Sequence, residues 1–600
     1  MKIRFVLYFI ALLIIVNSPC TIAQIFTRVT ATSNPVVTDP VQTSYAGASW
    51  IDFDNDGLLD LYVVRTGLYH NNGNGDFTKM AGSGIGLSTG IGNTWADIDN
   101  DGDIDCLLSG GNAGGSKLFL NNGNNTFSKN SNGPFAVDTL LRGWAASFGD
   151  YNNDGLTDLF IASPVGFASI TDPCKFLINA GSGNFVRVDT TAITDTIDAF
   201  TVPTWSDYDN DGDIDLFIGA GRVNGSLSRD YLFDNNHVQG SATLFTRNNS
   251  SPLGNDLHDG QVWNWIDFDN DGDLDAFLTN YQGPNTGLGY QNEMYRNDNG
   301  TFIKLTNTDV GSIVSDIGTS LSSTWGDFDN DGDLDCIVTN EAIQRNAFYK
   351  SNIIQGSMVF TKITNEPFVT TTGDHYCATS GDYDNDGDLD LFISGNSDKG
   401  LFKNNTSQKD FINIKLIGVT SNKSGIGAKV RVKANGIWQM REISSQNTFN
   451  GMNMLNAHFG LGDSGPNPTI IDSIKIEWPS GTVDVCTQVI SNTFYIANEG
   501  GCLTTNLVSL KNSAALIQNL SISPNPVNDK LIFNFSLTQT IKIELTLIDE
   551  LGKVVLKKII KNSDVGNNSS TIDVSHLNQG FYKMCISDGN NTLSANFLKQ

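Results

Sequence analysis

Short, unbroken apolar runs recur along the first two thirds of this chain, each just after a cluster of aspartates. Leu61-Tyr62-Val63-Val64, Leu216-Phe217-Ile218, Ala276-Phe277-Leu278 and Leu391-Phe392-Ile393 are too short for helices and do not alternate with polar residues. They predict short strands buried on both faces, as when small sheets stack on one another. A third strand is marked by Leu118-Phe119-Leu120-Asn121 and Met294-Tyr295-Arg296-Asn297, and a fourth by Phe77, Phe127, Phe185, Phe245, Phe302 and Phe360. An aromatic residue stands two positions ahead of the cluster in six copies: Trp50, Trp95, Phe148, Trp205, Trp265 and Trp325. These rings are expected to pack the core; the alternative is a ligand platform.

The cluster is a nine-residue loop, Asp-aromatic-Asp-Asn-Asp-Gly-x-apolar-Asp in its fullest form, present seven times. It begins at Asp52, Asp97, Asp150, Asp207, Asp267, Asp327 and Asp382, intervals of 45, 53, 57, 60, 60 and 55 residues that average 55. Four short strands and their turns fill such a period, which is one blade of a β-propeller. The fourth-strand Phe lies 20 to 25 residues ahead of the next loop, and Phe26 lies 26 ahead of Asp52 without a blade of its own. Repeat seven leaves the pattern after Leu401-Phe402-Lys403-Asn404. Ile25 to Val29 is therefore expected to supply the outer strand of the seventh blade and close the ring.

Aspartates at loop positions 1, 3, 5 and 9 can converge on one point, with Gly at position 6 permitting the sharp turn. The candidate ligands are Asp52, Asp54, Asp56 and Asp60; Asp97, Asp99, Asp101 and Asp105; Asp150, Asn152, Asp154 and Asp158; Asp207, Asp209, Asp211 and Asp215. The last three loops add Asp267, Asp269, Asp271 and Asp275; Asp327, Asp329, Asp331 and Asp335; and Asp382, Asp384, Asp386 and Asp390. An all-oxygen, carboxylate-rich set suits a hard cation with about six to eight ligands, calcium rather than zinc, with up to seven ions per chain. A solvated acidic turn would explain one copy, but seven copies place 32 of the chain's 65 acidic residues in 63 positions, where they would repel without a cation. An EF-hand is excluded, because position 12 is not Glu and strands flank the loop. The third loop, with Asn152 and the fewest acids, is the weakest candidate.

Composition agrees with an all-β chain: Gly 60 and Phe 34 among 600 residues, with Lys and Arg together only 37. A net charge of −28 argues against nucleic acid and anionic lipid as partners. Lys2 and Arg4, the apolar run Phe5 to Val16 and Thr21-Ile22-Ala23 read as a signal peptide cut after Ala23. The run falls short of the roughly 20 residues a membrane span needs, and no later segment is apolar enough. Seven cysteines remain beyond the cut, an odd and scattered set that is not a disulfide framework. Cys486 and Cys502 are the one pair considered for a bridge.

The loops resemble FG-GAP (integrin α-chain type) repeats, which implies a seven-bladed propeller with calcium in inter-strand hairpins over roughly residues 25 to 408. From Phe411 a new β domain carries Ser424-Gly-Ile-Gly-Ala428, Arg441-Glu442, His458-Phe-Gly-Leu-Gly462 and Ile476-Glu-Trp-Pro-Ser-Gly481. That ordered set resembles the ASPIC and UnbV domain of cartilage-acidic-protein-like chains, a resemblance that does not imply a biochemical role. His458 with Glu442 invites acid–base chemistry, but no nucleophile or partner base is suitably spaced, so a structural histidine is expected. The tail, with Ser523-Pro-Asn-Pro526, Ile541-Lys-Ile-Glu-Leu545, Leu577-Asn-Gln-Gly-Phe-Tyr582 and Phe597-Leu-Lys599, reads as a β-sandwich. It resembles the type A C-terminal sorting domain of the type IX secretion system of Bacteroidota. That implies export by this machinery and a place in the medium or on the outer-membrane surface of a Gram-negative cell.

The expected organisation is a signal peptide (1–23), propeller (24–408), small β domain (409–486), linker (487–517) and sorting domain (518–600). The expected function is calcium-dependent adhesion or binding of an extracellular glycan or protein, without catalysis. The rival is an extracellular calcium-dependent enzyme acting on polysaccharide. It would need a catalytic cluster on one face, and the six histidines form no repeated or motif-like set.

Overall fold

The computed structural model describes residues 24–505 and 517–600, apart from short stretches at 43–44, 74, 86–89, 112–113, 138–140, 166–171, 223–225, 238–243, 283–288, 397, 407–408, 464–468, 538–540, 550–552, 564–565 and 588–591. The expected signal peptide and residues 506–516 of the expected linker lie outside the described residues.

Each Asp-rich loop joins the first two strands of a four-stranded antiparallel sheet. In the first sheet the strands are Ala48–Ile51, Asp60–Val63, Gly67–Asn71 and Phe77–Lys79, in spatial as well as chain order. Five more sheets repeat the plan. The seventh is built from His375–Gly381, Asp390–Gly395 and Gly400–Asn404, with Phe26–Arg28 as its outer strand and Phe26 opposite Asn404. The first strands pack side by side, Ala48–Ile51 on Asn93–Ala96 and onward to His375–Gly381, which returns to Ala48–Ile51. The sheets thus form a closed ring, and the all-β expectation holds.

The double burial read from the apolar runs is present: the successive residues Leu61 and Tyr62, Leu216 and Phe217, and Ala276 and Phe277, which point to opposite faces of their second strands, are all fully buried. The recurring aromatics join neighbouring sheets. Trp50 stacks on Tyr383 of the seventh loop with centroids 5.8 Å apart, and Trp265 stacks on Tyr208 of the fourth loop at 5.3 Å. Cys106, Cys174, Cys336 and Cys377 are buried free thiols.

Two four-stranded sheets make the small β domain. One is centred on Asp410–Ile417, flanked by Ala457–Gly462 and by Thr493–Asn498, the latter parallel to it. The other runs Ile437–Glu442, Lys429–Ala434, Ile470–Glu477, Val483–Ile490. The expected linker start at 487 is therefore corrected: residues 487–505 complete this domain, with Thr504–Thr505 as an edge strand. Cys486 and Cys502 form a disulfide across it, Cα atoms 5.7 Å apart. The tail is a sandwich of a three-stranded sheet (Ile517–Ser523, Lys530–Leu537, Gly566–Asp573) and a four-stranded one. Phe533, Phe535, Leu545, Leu547, Met584 and Phe597 fill its core. Among the described residues no helix is long and apolar enough to cross a membrane.

Candidate metal centres

Every loop turns in the same way. The Asn at position 4 adopts left-handed backbone (Asn55, φ 55°; Asn330, φ 53°), and Gly at position 6 does the same (Gly102, φ 101°), a conformation that costs Gly nothing. The position-1 carboxylate accepts backbone N–H groups from across the turn: Asp97 from Asp101 (3.1 Å) and Gly102 (2.8 Å), Asp327 from Asp331 (2.9 Å) and Gly332 (2.7 Å). The position-9 carboxylate ties the loop to the third strand, Asp60 accepting from Asn71 (2.7 Å) and Asp390 from Asn404 (2.8 Å). Carboxylate oxygens of positions 1, 3 and 5 lie within 4.8 Å of one another in the loops starting at Asp52, Asp97 and Asp207. In the third loop Asn152 donates to Asp154 (3.0 Å), so one of its few donors is already engaged within the loop.

Buried carboxylate oxygens are left over. Oδ1 of Asp54, Asp99 and Asp269, all at position 3, and Oδ2 of Asp215 have no hydrogen-bond partner among the described residues; Oδ1 of Asp329 and Asp384 accepts no hydrogen bond either, but those two carboxylates are ion-paired with lysines. An unpaired buried charge is costly, so these lone pairs call for a cation or a proton. Burial, with neighbouring carboxylates adding to it, pushes Asp60 and Asp105 up to about 8 and Asp97 and Asp150 to about 7. The donor set is entirely oxygen, apart from His70 beside Asp54 and Asp60 in the first loop, which fits calcium better than a softer metal.

Two asparagine positions escaped the sequence reading. The position-4 Asn reaches the next loop: Asn55 donates to the Gly102 carbonyl (3.0 Å), Asn100 to Gly155 (2.9 Å), Asn330 to Gly387 (3.1 Å) and Asn385 back to Gly57 (3.1 Å). The third-strand Asn reaches the preceding loop, as Asn71 does to the Tyr383 carbonyl (2.7 Å) and Asn121 to Phe53 (2.7 Å). The loops are therefore stitched to one another around the ring. Recurrence of Asn at both places was the available signal.

The small domain lies over this loop face. Lys415 bonds Asp52 (3.0 Å), Ser424 accepts from the Asp97 N–H (2.8 Å), and Lys429 bonds Asp207 (2.9 Å) and Asn210 (2.6 Å). Arg431 donates to the Gly272 carbonyl (2.9 Å), and Lys409 lies 3.4 Å from Asp329. His458 donates from Nε2 to the Gly387 carbonyl (3.0 Å); burial pushes it down to about 4, so it is neutral and structural. Glu442 accepts from the Asp207 N–H (3.1 Å) and is pushed up to about 7 by burial. The pair that invited acid–base chemistry is thus spent on two different loops.

The segment between Glu442 and Ala457 enters the ring's axis. Ser445 donates to the Phe148 carbonyl (2.7 Å), Thr94 donates to Ser445 (2.8 Å), Asn264 to Asn447 (2.6 Å) and Thr379 to Met452 (2.6 Å). Phe449 and Asn450 are fully buried there. At the opposite end of the first strands a cavity of about 270 Å³ remains, lined by Tyr45, Trp144, Arg222, Asp259 and Tyr281 and floored by Phe449.

These features define a ring of repeats that carry acidic turns, capped by a second β domain. Residues 52–108, 97–161, 267–338 and 327–393 match the FG-GAP-like repeat, and 142–183 match the FG-GAP repeat. Residues 418–503 match the ASPIC and UnbV domain, and 521–600 the secretion system C-terminal sorting domain. The chain carries FG-GAP repeats, an ASPIC/UnbV domain and a type IX sorting tail, which places it outside the cell, secreted or on the surface of a Bacteroidota bacterium. No curated protein matches it. Among solved structures, PorZ of Porphyromonas gingivalis, described as an essential bacterial surface component of the type-IX secretion system, matches at 10% identity over 91% of this chain and 85% of that chain. The TM-score is 0.15, too low to carry an argument.

Proposed function

We propose that this is a calcium-stiffened extracellular binding protein without catalytic activity. The observation that carries the reading is the set of buried carboxylate oxygens left without partners inside the loops. Calcium bound there would supply the positive charge that the loops lack. The aspartates at positions 1, 3, 5 and 9 orient the donors, and the asparagine stitching passes that order from loop to loop. With the loop face covered, the opposite mouth is the surface left for an extracellular glycan or protein. Its aromatic rings beside Arg222 and Asp259 suit a ligand with apolar faces and polar edges. An array of glycans and surface proteins, probed with the calcium-loaded and the chelated chain, tests this. Saturable binding that is lost on chelation and in Tyr281→Ala is expected. A chain with no saturable ligand in either state would contradict the binding role.

A further inference from the structure

The loops differ at one register position. The residue ahead of the third-strand Asn (Ser351 in the sixth repeat) is held beside its own loop, because the next backbone N–H is bonded to the position-9 Asp. In the first five loops this neighbour is His70, Leu120, Ile178, Asp234 or Arg296. In the last two it is a lysine. Lys350 reaches Asp329 and Asp331, the latter at 3.1 Å, and Lys403 reaches Asp384 and Asp386, the latter at 3.0 Å. Each ammonium thus bridges positions 3 and 5 of its own loop, where a metal would have to draw its ligands together. Lys409 adds a second ammonium at the sixth loop, 3.4 Å from Asp329.

The other cations near the loops do not sit this way. Lys415 and Lys429 come from the small domain and touch positions 1 and 4 only. Arg296 is turned away into a two-bond pair with Asp298 (2.7 and 2.9 Å). Asp234 adds an acid beside the fourth loop, its Oδ1 accepting from the Tyr208 hydroxyl (2.9 Å).

We propose that Lys350 and Lys403 are built-in counter-ions, so that the loops at 327–335 and 382–390 stand without calcium while the remaining five take it. This rests on the calcium reading above. To enter, a divalent ion would have to displace two charge-assisted hydrogen bonds and then lie a few ångströms from the displaced ammonium. Lowering the net negative charge of the ligand set also weakens calcium binding directly. The placement has a structural use. The seventh sheet is the one closed by the distant strand Phe26–Arg28, so its loop, and the one before it, keep their order when calcium is scarce.

The test is to count calcium per full-length chain after chelator treatment and re-equilibration at buffered free calcium near 1 mM. About five ions are expected for the wild type and about seven for Lys350→Met/Lys403→Met/Lys409→Met, since removing the ammonium groups frees both sites. The converse variant Leu120→Lys installs an ammonium at the same register of the second loop and should lower the count to about four. Seven ions in the wild type, or counts unmoved by the variants, would overturn the proposal. No calcium in any of the three proteins would instead remove the calcium reading beneath it.

Discussion

The ring and the tail are both antiparallel, Phe-rich β structures, yet they handle charge in opposite ways. The tail sandwich, residues 518–600, carries seven acidic residues against eight lysines, and its acids form no repeated cluster. The ring gathers 32 acids into seven loops at one end and buries several of them. One region is electrostatically complete within its own sequence. The other, on the function proposed above, needs something added: calcium in most loops, lysines from within in two, and the basic residues of the small domain laid across the top. Fold class alone did not carry that distinction; the position of the carboxylates along each strand pair did.

Opening the ring should have the largest effect. Deleting residues 24–30 removes the outer strand of the seventh sheet and leaves Gly400–Asn404 as an unpaired edge. Aggregation, or a broad low-temperature melt of the ring with the tail transition unchanged, is expected by calorimetry and size-exclusion chromatography. A monomer with an unaltered melt would show that closure adds nothing. A smaller effect is expected from the asparagine stitching. Asn71→Ala breaks a buried bond to the Tyr383 carbonyl and another to Leu59 (2.9 Å), and should cost about 1–3 kcal/mol in chemical denaturation. The sixth repeat already has Ser351 at this position, so Ser351→Ala should cost well under 1 kcal/mol, or about what a surface substitution does. Equal costs at the two sites would break the contrast.

Much of this was legible in the sequence because it repeats. Loop register, the second-strand runs, the Trp and Phe positions and the orphan strand at Phe26 all recur or fail to recur on a fixed period. The asparagines recur too, but a turn explains Asn locally, and nothing local says that Asn385 will reach Gly57 across the ring joint. The small domain's grip on the loops was illegible for a different reason. Lys415, Lys429 and Arg431 are surface-type residues on ordinary strands, and their partners lie hundreds of positions away. The boundary expected at 486 falls inside the strand Val483–Ile490, because the Asn, Ser and Gly around the short apolar stretch beyond it read as a linker. The parallel pairing of Thr493–Asn498 with Asp410–Ile417 has no local signature at all.

Calorimetry of the full chain, with and without chelator and at pH 5.5 and 8.5, tests the central claim most directly. With a site affinity of ~0.1 mM, each loop gains about 1.4 kcal/mol at ~1 mM calcium, so five loops gain about 7 kcal/mol, comparable with the net stability of a domain. Chelation should therefore lower the ring's melting temperature steeply and leave the tail's transition in place. The pH trend of the chelated ring is fixed by Asp60 and Asp105, held near 8 in the folded state against an ordinary carboxylate value near 4 when unfolded. The folded ring then binds protons that the unfolded chain releases, so its stability is greatest at low pH and is lost as pH rises through about 8. The chelated ring should melt higher at pH 5.5 than at 8.5, and the calcium-loaded ring should melt higher at 8.5. A ring transition indifferent to chelator at both pH values would contradict the account.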